Sequence, residues 1–186
     1  MSLANITNEI TRRLKGTMPV ELEGWKIHDA PQTNITATAG TDDMGLKGAT
    51  FGTDALTLQS SDGKVTTLNQ YARKTIVVPP KYKPGTPLTL RVRGGMVTTV
   101  SDTSAVVDAS VYIGDGDGGI SADIVTTAAT TINSLTKANV DFSLTSTALV
   151  VGSVLDVRLL LTIVDGATGT AVLGEISNVA LVFNND

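Results

Sequence analysis

Cysteine is absent from this 186-residue chain, and histidine occurs once, as His28. Without cysteine there is no disulfide scaffold, thiolate metal centre, iron–sulfur cluster or cysteine nucleophile. A lone histidine excludes any two-histidine metal site and leaves a cupin-like centre short of ligands. Aromatic residues make up 4% of the chain, thin material for a platform that stacks sugars or bases. Long apolar runs are also missing. The most apolar stretches, near the C-terminus, are broken by Asp156, Arg158 and Asp165, far short of the ~20 residues a membrane-spanning helix needs. Residues 1–16 lack the apolar centre of a secretory signal. The expectation is a chain made in a cytoplasm, with no membrane partner. Its net charge of −4 argues against nucleic acid as a partner.

What is present is apolar and weakly charged: 41% hydrophobic and 17% charged residues. That composition belongs to a folded chain rather than a disordered one. A chain of this length buries about 70% of its unfolded surface and needs no staples. Three regions stand out. In residues 1–16, Leu3, Ile6, Ile10 and Leu14 fall on one helical face, with Ser2 or Asn5 as N-cap. Arg12, Arg13 and Lys15 sit in the last turn and Gly16 stands at its stop. This is an arm, helical or extended, that either covers one end of the domain or lays its stripe on a neighbouring subunit. Residues 17–55 form an irregular, loop-rich segment that includes Trp25, the only tryptophan. Residues 56–186 are strand after strand.

In that third region Leu56–Leu58 and Val65–Leu68 flank Ser61-Asp62-Gly63, the composition of a hairpin turn. Thr75–Val78 ends at Pro79-Pro80. Leu88, Leu90 and Val92 alternate with Thr89, Arg91 and Arg93, and Gly94-Gly95 marks a bulge or close backbone approach. Further strands are expected over Ala105–Ile113, Ile120–Val125, Thr131–Leu135, Val140–Leu144, Val154–Val164 and Val172–Phe183. The last two are expected to form the core of one sheet, with Asp156 and Arg158 paired on its polar face. No segment beyond the arm reads as a helix. The fold class is all-β: an antiparallel β-sandwich, jelly-roll-like, with a short N-terminal arm.

Catalytic chemistry finds little purchase. His28 lies beside Asp29, but no G-x-S-x-G turn accompanies it. Asp115-Gly-Asp117-Gly-Gly119 resembles the opening of a calcium loop, yet Gly119 and Thr126 occupy positions where an EF-hand needs acids, so a tight turn is expected. Asp42-Asp43 reads as a solvated pair. The reading is of a non-enzymatic chain with no catalytic residue, no cofactor and no metal. Charge is unevenly spread. Residues 1–94 carry 12 basic and 8 acidic side chains, residues 95–186 only 2 basic and 10 acidic. Either the halves neutralise each other within one fold, or a basic surface meets an acidic one on a neighbour. In the acid-free run from Arg73 to Arg93, Lys81 and Lys83 lie between Pro79-Pro80 and Pro84-Gly85, at a loop tip suited to partner binding.

PGTPLTLRVRGGMVTTVSDTSAVVDASVY at 84–112, TINSLTKANVDFSLTSTALVVGSVLDVRLLLTIVDGATGTAVLGEI at 131–176 and NVALVF at 178–183 together resemble β-domains encoded in tailed-bacteriophage virion gene clusters. The resemblance covers about half the chain and carries no catalytic signature. It implies a jelly-roll virion component of the capsid decoration, or cement, type. Such a protein sits on the capsid surface, stabilises a phage head by bridging capsomers, binds the major capsid protein and forms a homo-oligomer, dimer or trimer. Under this implication Leu3, Ile6, Ile10 and Leu14 of the arm, with Lys81 and Lys83, are the partner-binding residues. The alternative is a carbohydrate- or receptor-binding β-sandwich of a phage tail or fibre.

Overall fold

A computed structural model describes residues 15–48, 50–64, 66–145, 147–166 and 170–185. Leu3, Ile6, Ile10 and Leu14 lie outside the described residues. Ten strands run β1 (Lys15–Val20), β2 (Gly45–Lys47), β3 (Thr57–Gln59), β4 (Thr67–Val77), β5 (Leu88–Met96), β6 (Ser104–Gly114), β7 (Thr130–Thr131), β8 (Ala138–Leu144), β9 (Val154–Val164) and β10 (Gly174–Asn184). No described residue is helical. Lys15 and Gly16, expected to close a helix, open β1 instead.

The pairing is nested and antiparallel throughout: β6 with β7, β5 with β8, β4 with β9, and both β3 and β1 with β10. The chain is therefore doubled back, early strands against late ones, and the doubled ribbon wraps into two sheets. One runs β2-β3-β10-β5-β8, with β1 also on β10; the other runs β4-β9-β6-β7. This wrapping is that of a jelly roll. The long strands form because their side chains alternate. Leu155, Val157, Leu159, Leu161 and Ile163 of β9 are all fully buried, as are Leu88, Leu90 and Val92 of β5. They meet Val179, Leu181 and Phe142 in one core. Each such side chain contributes about 1.5–3 kcal/mol by leaving water.

Several sequence expectations change. The Ser61–Gly63 turn makes no hairpin, because β3 and β4 belong to different sheets. Its polar groups are taken by the approach to β10: Asp62 Oδ1 accepts from Val172 N at 3.0 Å, and Ser60 Oγ accepts from Gly174 N at 3.0 Å. The Thr75–Val78 strand is the end of a much longer β4. Ile120–Val125 is not a strand. It runs along β6, where Asp123 and Ser121 side chains accept the N–H groups of Val111 and Ile113. Of the strand expected at 131–135 only Thr131 is in a strand, the two-residue β7. β9 and β10 are central strands of opposite sheets, not neighbours in one. Asp156 and Arg158 do share the outer face, but Asp156 pairs with Arg73, at 2.8 and 2.5 Å, while Arg158 lies over the Tyr71 ring. The expectation at Gly94-Gly95 holds. A Cβ on Gly95 would stand 3.0 Å from Ser134 O, and the β5–β10 register shifts opposite Gly94.

The segment 17–55 is more ordered than its composition suggests. Trp25 is 0% exposed, and Ile35 and Met44 join it in the core. Backbone bonds between Lys26 and Arg73, and from Tyr71 N to Asp42 O, close the outer edge of β4. An open edge would invite pairing with another chain. Trp25→Ala is expected to destabilise the protein by about 3–5 kcal/mol, read as a lowered midpoint in chemical denaturation. Asp62 gives a second test. Burial works to raise its carboxyl, but the Val172 and Lys64 N–H bonds and the Lys64 ammonium outweigh it, and the group lies below its ordinary value. Its contribution is thus present above about pH 4 and lost as pH falls through the depressed folded value. Asp62→Ala should lower the melting temperature at neutral pH, and the gap to wild type should close on acidification.

Candidate partner-binding end

Antiparallel pairing brings seven strand ends to one end of the sandwich. Val77 pairs with Val154 and Val154 with Gly114 in one sheet; in the other, Lys15 pairs with Asn184, Phe183 with Leu88, and Leu88 with Leu144. The loop from β4 to β5 closes over this end. Its anchor is Tyr82, fully buried, whose hydroxyl donates to Thr86 O at 2.8 Å. Burial pushes the Tyr82 phenol up, so the hydroxyl stays protonated and remains a donor. Lys81 and Lys83 flank the anchor and are exposed. Neither makes an ion pair among the described residues, whereas Arg73 and Arg91 fork onto Asp156 and Asp141.

The same loop is bonded to the root of the arm. Lys83 N donates to Asn184 O at 3.0 Å, and Asn184 is the register partner of Lys15. The loop that carries the two lysines is therefore joined to the strand pair that holds Lys15. β1 reaches this position because residue 16 is glycine. A Cβ there would stand 2.4 Å from the Phe183 ring.

Sequence reasoning missed two further features of this end. Val77 (52% exposed) and Val154 (43%) are cross-strand partners on the outer face. Gly114, with no side chain, pairs next to Val154 and bridges to Ile120, which is 64% exposed. Val150 and Val151, both exposed, occupy the turn into β9. The second feature is a groove of about 830 Å³ lined by Pro87, Leu144 and Leu149 among threonines. The Val77 signal was readable, since Ile76 and Val78 point inward and alternation leaves Val77 outside. Its pairing with Val154 was not, because it depends on register.

Other candidate residues lie elsewhere. His28 sits beside the β4 edge, Nδ1 3.0 Å from Asp43 Oδ1, its ring 4.4 Å from that of Tyr71. Asp43 is buried, at 8% exposed, which corrects the expectation of a solvated pair; Asp42 alone is exposed. The cause is local. The Asp42 carbonyl and Met44 N–H bond to Tyr71, which turns the Asp43 side chain inward toward His28. In the β6–β7 loop, Asp115 Oδ1 accepts from Asp117 N (3.1 Å) and Gly119 N (2.8 Å). The Asp117 hydrogen bond holds the Asp115 carboxyl below the usual carboxylate range. The carboxylate locks its own exposed turn.

No protein-family model matches the chain, and no curated protein matches it. Among solved structures it is similar to a xylan-binding module, CBM15 (13% identity, TM-score 0.45, covering 91% of this chain and 97% of that one). It is also similar to a family 16 carbohydrate binding module (15%, 0.39, 72% and 79%). A third likeness is to the enzymatically active domain of tailspike protein 4 of bacteriophage CBA120 (10%, 0.35, 92% and 19%). At these identities and scores the likeness concerns strand arrangement and says nothing about a ligand.

Gly16→Ala should loosen β1 from β10. Hydrogen exchange at Thr17, Met18 and Val20 should rise well above wild type while β9 stays protected. Unchanged protection would mean that Phe183 gives way and Gly16 is not what seats the arm root.

Proposed function

We propose that this jelly roll is a non-enzymatic virion structural protein, a capsid decoration protein that docks on the outside of a phage head and bridges capsomers. The observation that supports this reading is the composition of one end of the sandwich. Exposed Val77 and Val154 on β4 and β9, with Ile120 bridged to Gly114, share this end with Lys81 and Lys83, which make no ion pair among the described residues and sit on a loop fixed by the buried Tyr82. Exposed apolar side chains and free charge presented at one end suit a protein partner better than a small ligand. The partner on this reading is the major capsid protein. A protein that binds the assembled shell and not its free subunits stabilises the shell by mass action, and many copies multiply a modest contact energy.

The direct experiment is co-sedimentation of the purified protein with phage heads that lack it. Saturable binding, with heads made more resistant to heat, is the expected result. Lys81→Glu combined with Lys83→Glu should weaken that binding at least several-fold at low salt and leave the melting temperature nearly unchanged. Exposed pairs are worth only about 0–1 kcal/mol each, and nothing in the fold leans on these two. Added salt should weaken wild-type binding in the same direction, because the Debye length is only about 8 Å at physiological ionic strength. Binding indifferent to both changes would sink the electrostatic part of the reading.

A second reading, a carbohydrate- or receptor-binding sandwich, is supported by one specific feature. A polar hollow of about 510 Å³ on the other sheet is lined by Lys47, Asp54, Gln59, Lys137 and Glu175. The loop that walls it also carries Phe51, a fully exposed ring. A glycan array decides between the readings: a saturable hit abolished by Phe51→Ala favours the second.

A further inference from the structure

We propose that His28, Asp29 and Asp43 form a site for a divalent transition-metal cation, zinc being the best fit, against the expectation of no metal drawn from the sequence. One ligand atom from each of the three residues lies within 4.8 Å of the other two, the only such grouping of ligating side chains among the described residues. The His28 Nδ1 and Asp43 Oδ1 atoms are 3.0 Å apart. Two ligands each about 2.0–2.1 Å from a zinc ion stand roughly 3.0–3.4 Å apart, so the pair is already near coordination spacing.

The charge balance points the same way. Asp43 is a buried carboxylate whose only recorded ion pair among the described residues is with His28. The Arg73 guanidinium reaches the His28 carbonyl at 3.3 Å, but it is committed to Asp156 through two hydrogen bonds. A buried carboxylate without a fixed cation is costly, and a bound dication removes that cost. The site is also enterable. The His28 side chain is partly exposed and Asp29 is exposed, so an ion can reach the pair and keep water in its remaining positions. The ligand frame is held from behind: the His28 ring lies against Tyr71, and Asp43 Oδ1 also accepts the His28 N–H at 3.2 Å. One nitrogen and two carboxylates suit zinc, cobalt, nickel or manganese. Calcium and magnesium prefer an all-oxygen shell.

The test is calorimetric titration of zinc chloride into the chelator-treated full-length protein, with thermal melts alongside. Expected are one saturable equivalent and a melting temperature that rises with zinc. Asp29→Asn, on the surface and outside the core, should keep the fold and weaken zinc at least about tenfold, the scale seen for losses at metal sites. His28→Ala should weaken it further. Asp42→Asn, next door but outside the cluster, should leave affinity unchanged. No saturable binding up to millimolar zinc overturns the proposal. So does binding that ignores Asp29→Asn and His28→Ala, or calcium binding tighter than zinc.

Discussion

The constraint on which this structure depends is the pairing of the early half of the chain with the late half. Each central strand draws its hydrogen bonds from strands distant in sequence: β9 lies between β4 and β6, and β10 between β5 on one edge and β1 and β3 on the other. Such non-local pairing closes long loops before it gains contacts, so the fold forms as a unit or not at all. It also explains the lopsided charge. Early basic strands lie beside late acidic ones, which is why Arg91 stands in register opposite Asp141 and Arg73 forks onto Asp156. These pairs are half exposed and individually weak. Their use is register, because a one-residue slip would turn each arginine toward the core.

A sandwich with two open sheets has edges, and this one covers them with irregular chain. Lys26, Asp42 and Met44 bond to the outer edge of β4, and on the free edge of β6 residues 120–124 cover Val111–Gly114 while β7 pairs Val106 and Val107. On β6 the cover uses side chains as well as backbone: the Asp123 carboxylate and the Ser121 hydroxyl take N–H groups that a neighbouring strand would otherwise take. A loop that pairs through side chains protects an edge without offering a new one.

Legibility in the sequence followed period. β6 and β9 alternate over eleven residues, and their limits match the sequence pattern almost to the residue, whereas β5 alternates only from Leu88 to Arg93 and continues buried to Met96. The segment 17–55 was opaque because its order comes from short strands paired with β10 and β3, backbone bonds to β4 and burial of Trp25, none of which leaves a periodic trace. The misplaced hairpin has a related cause. Ser61-Asp62-Gly63 has the chemistry of a tight turn and does turn the chain, but its acceptors serve Val172 and Lys64 rather than a partner strand. Local composition signals that a chain turns, not which sheet it turns into. Adjacent β9 and β10 went to opposite sheets for the same reason, since the wrapped ribbon crosses from one sheet to the other between them.

The same wrapping decides where a binding surface can be. Loops at the strand ends of a jelly roll are free of the hydrogen-bond ladder, so an exposed feature there is held only if something else fixes it. At the end bearing Lys81 and Lys83 that role falls to Tyr82, whose ring is buried and whose hydroxyl is bonded within the loop, and to the Lys83–Asn184 backbone bond. For the proposed docking this presents both lysines on a backbone already fixed, which cuts the ordering cost that otherwise dilutes an interface. The neighbouring Val77–Val154 row needs no loop at all, because it stands on paired strands and its spacing is set by the sheet. Rigid apolar contact beside fixed charge is the arrangement from which a small, weakly charged sandwich can draw both adhesion and orientation.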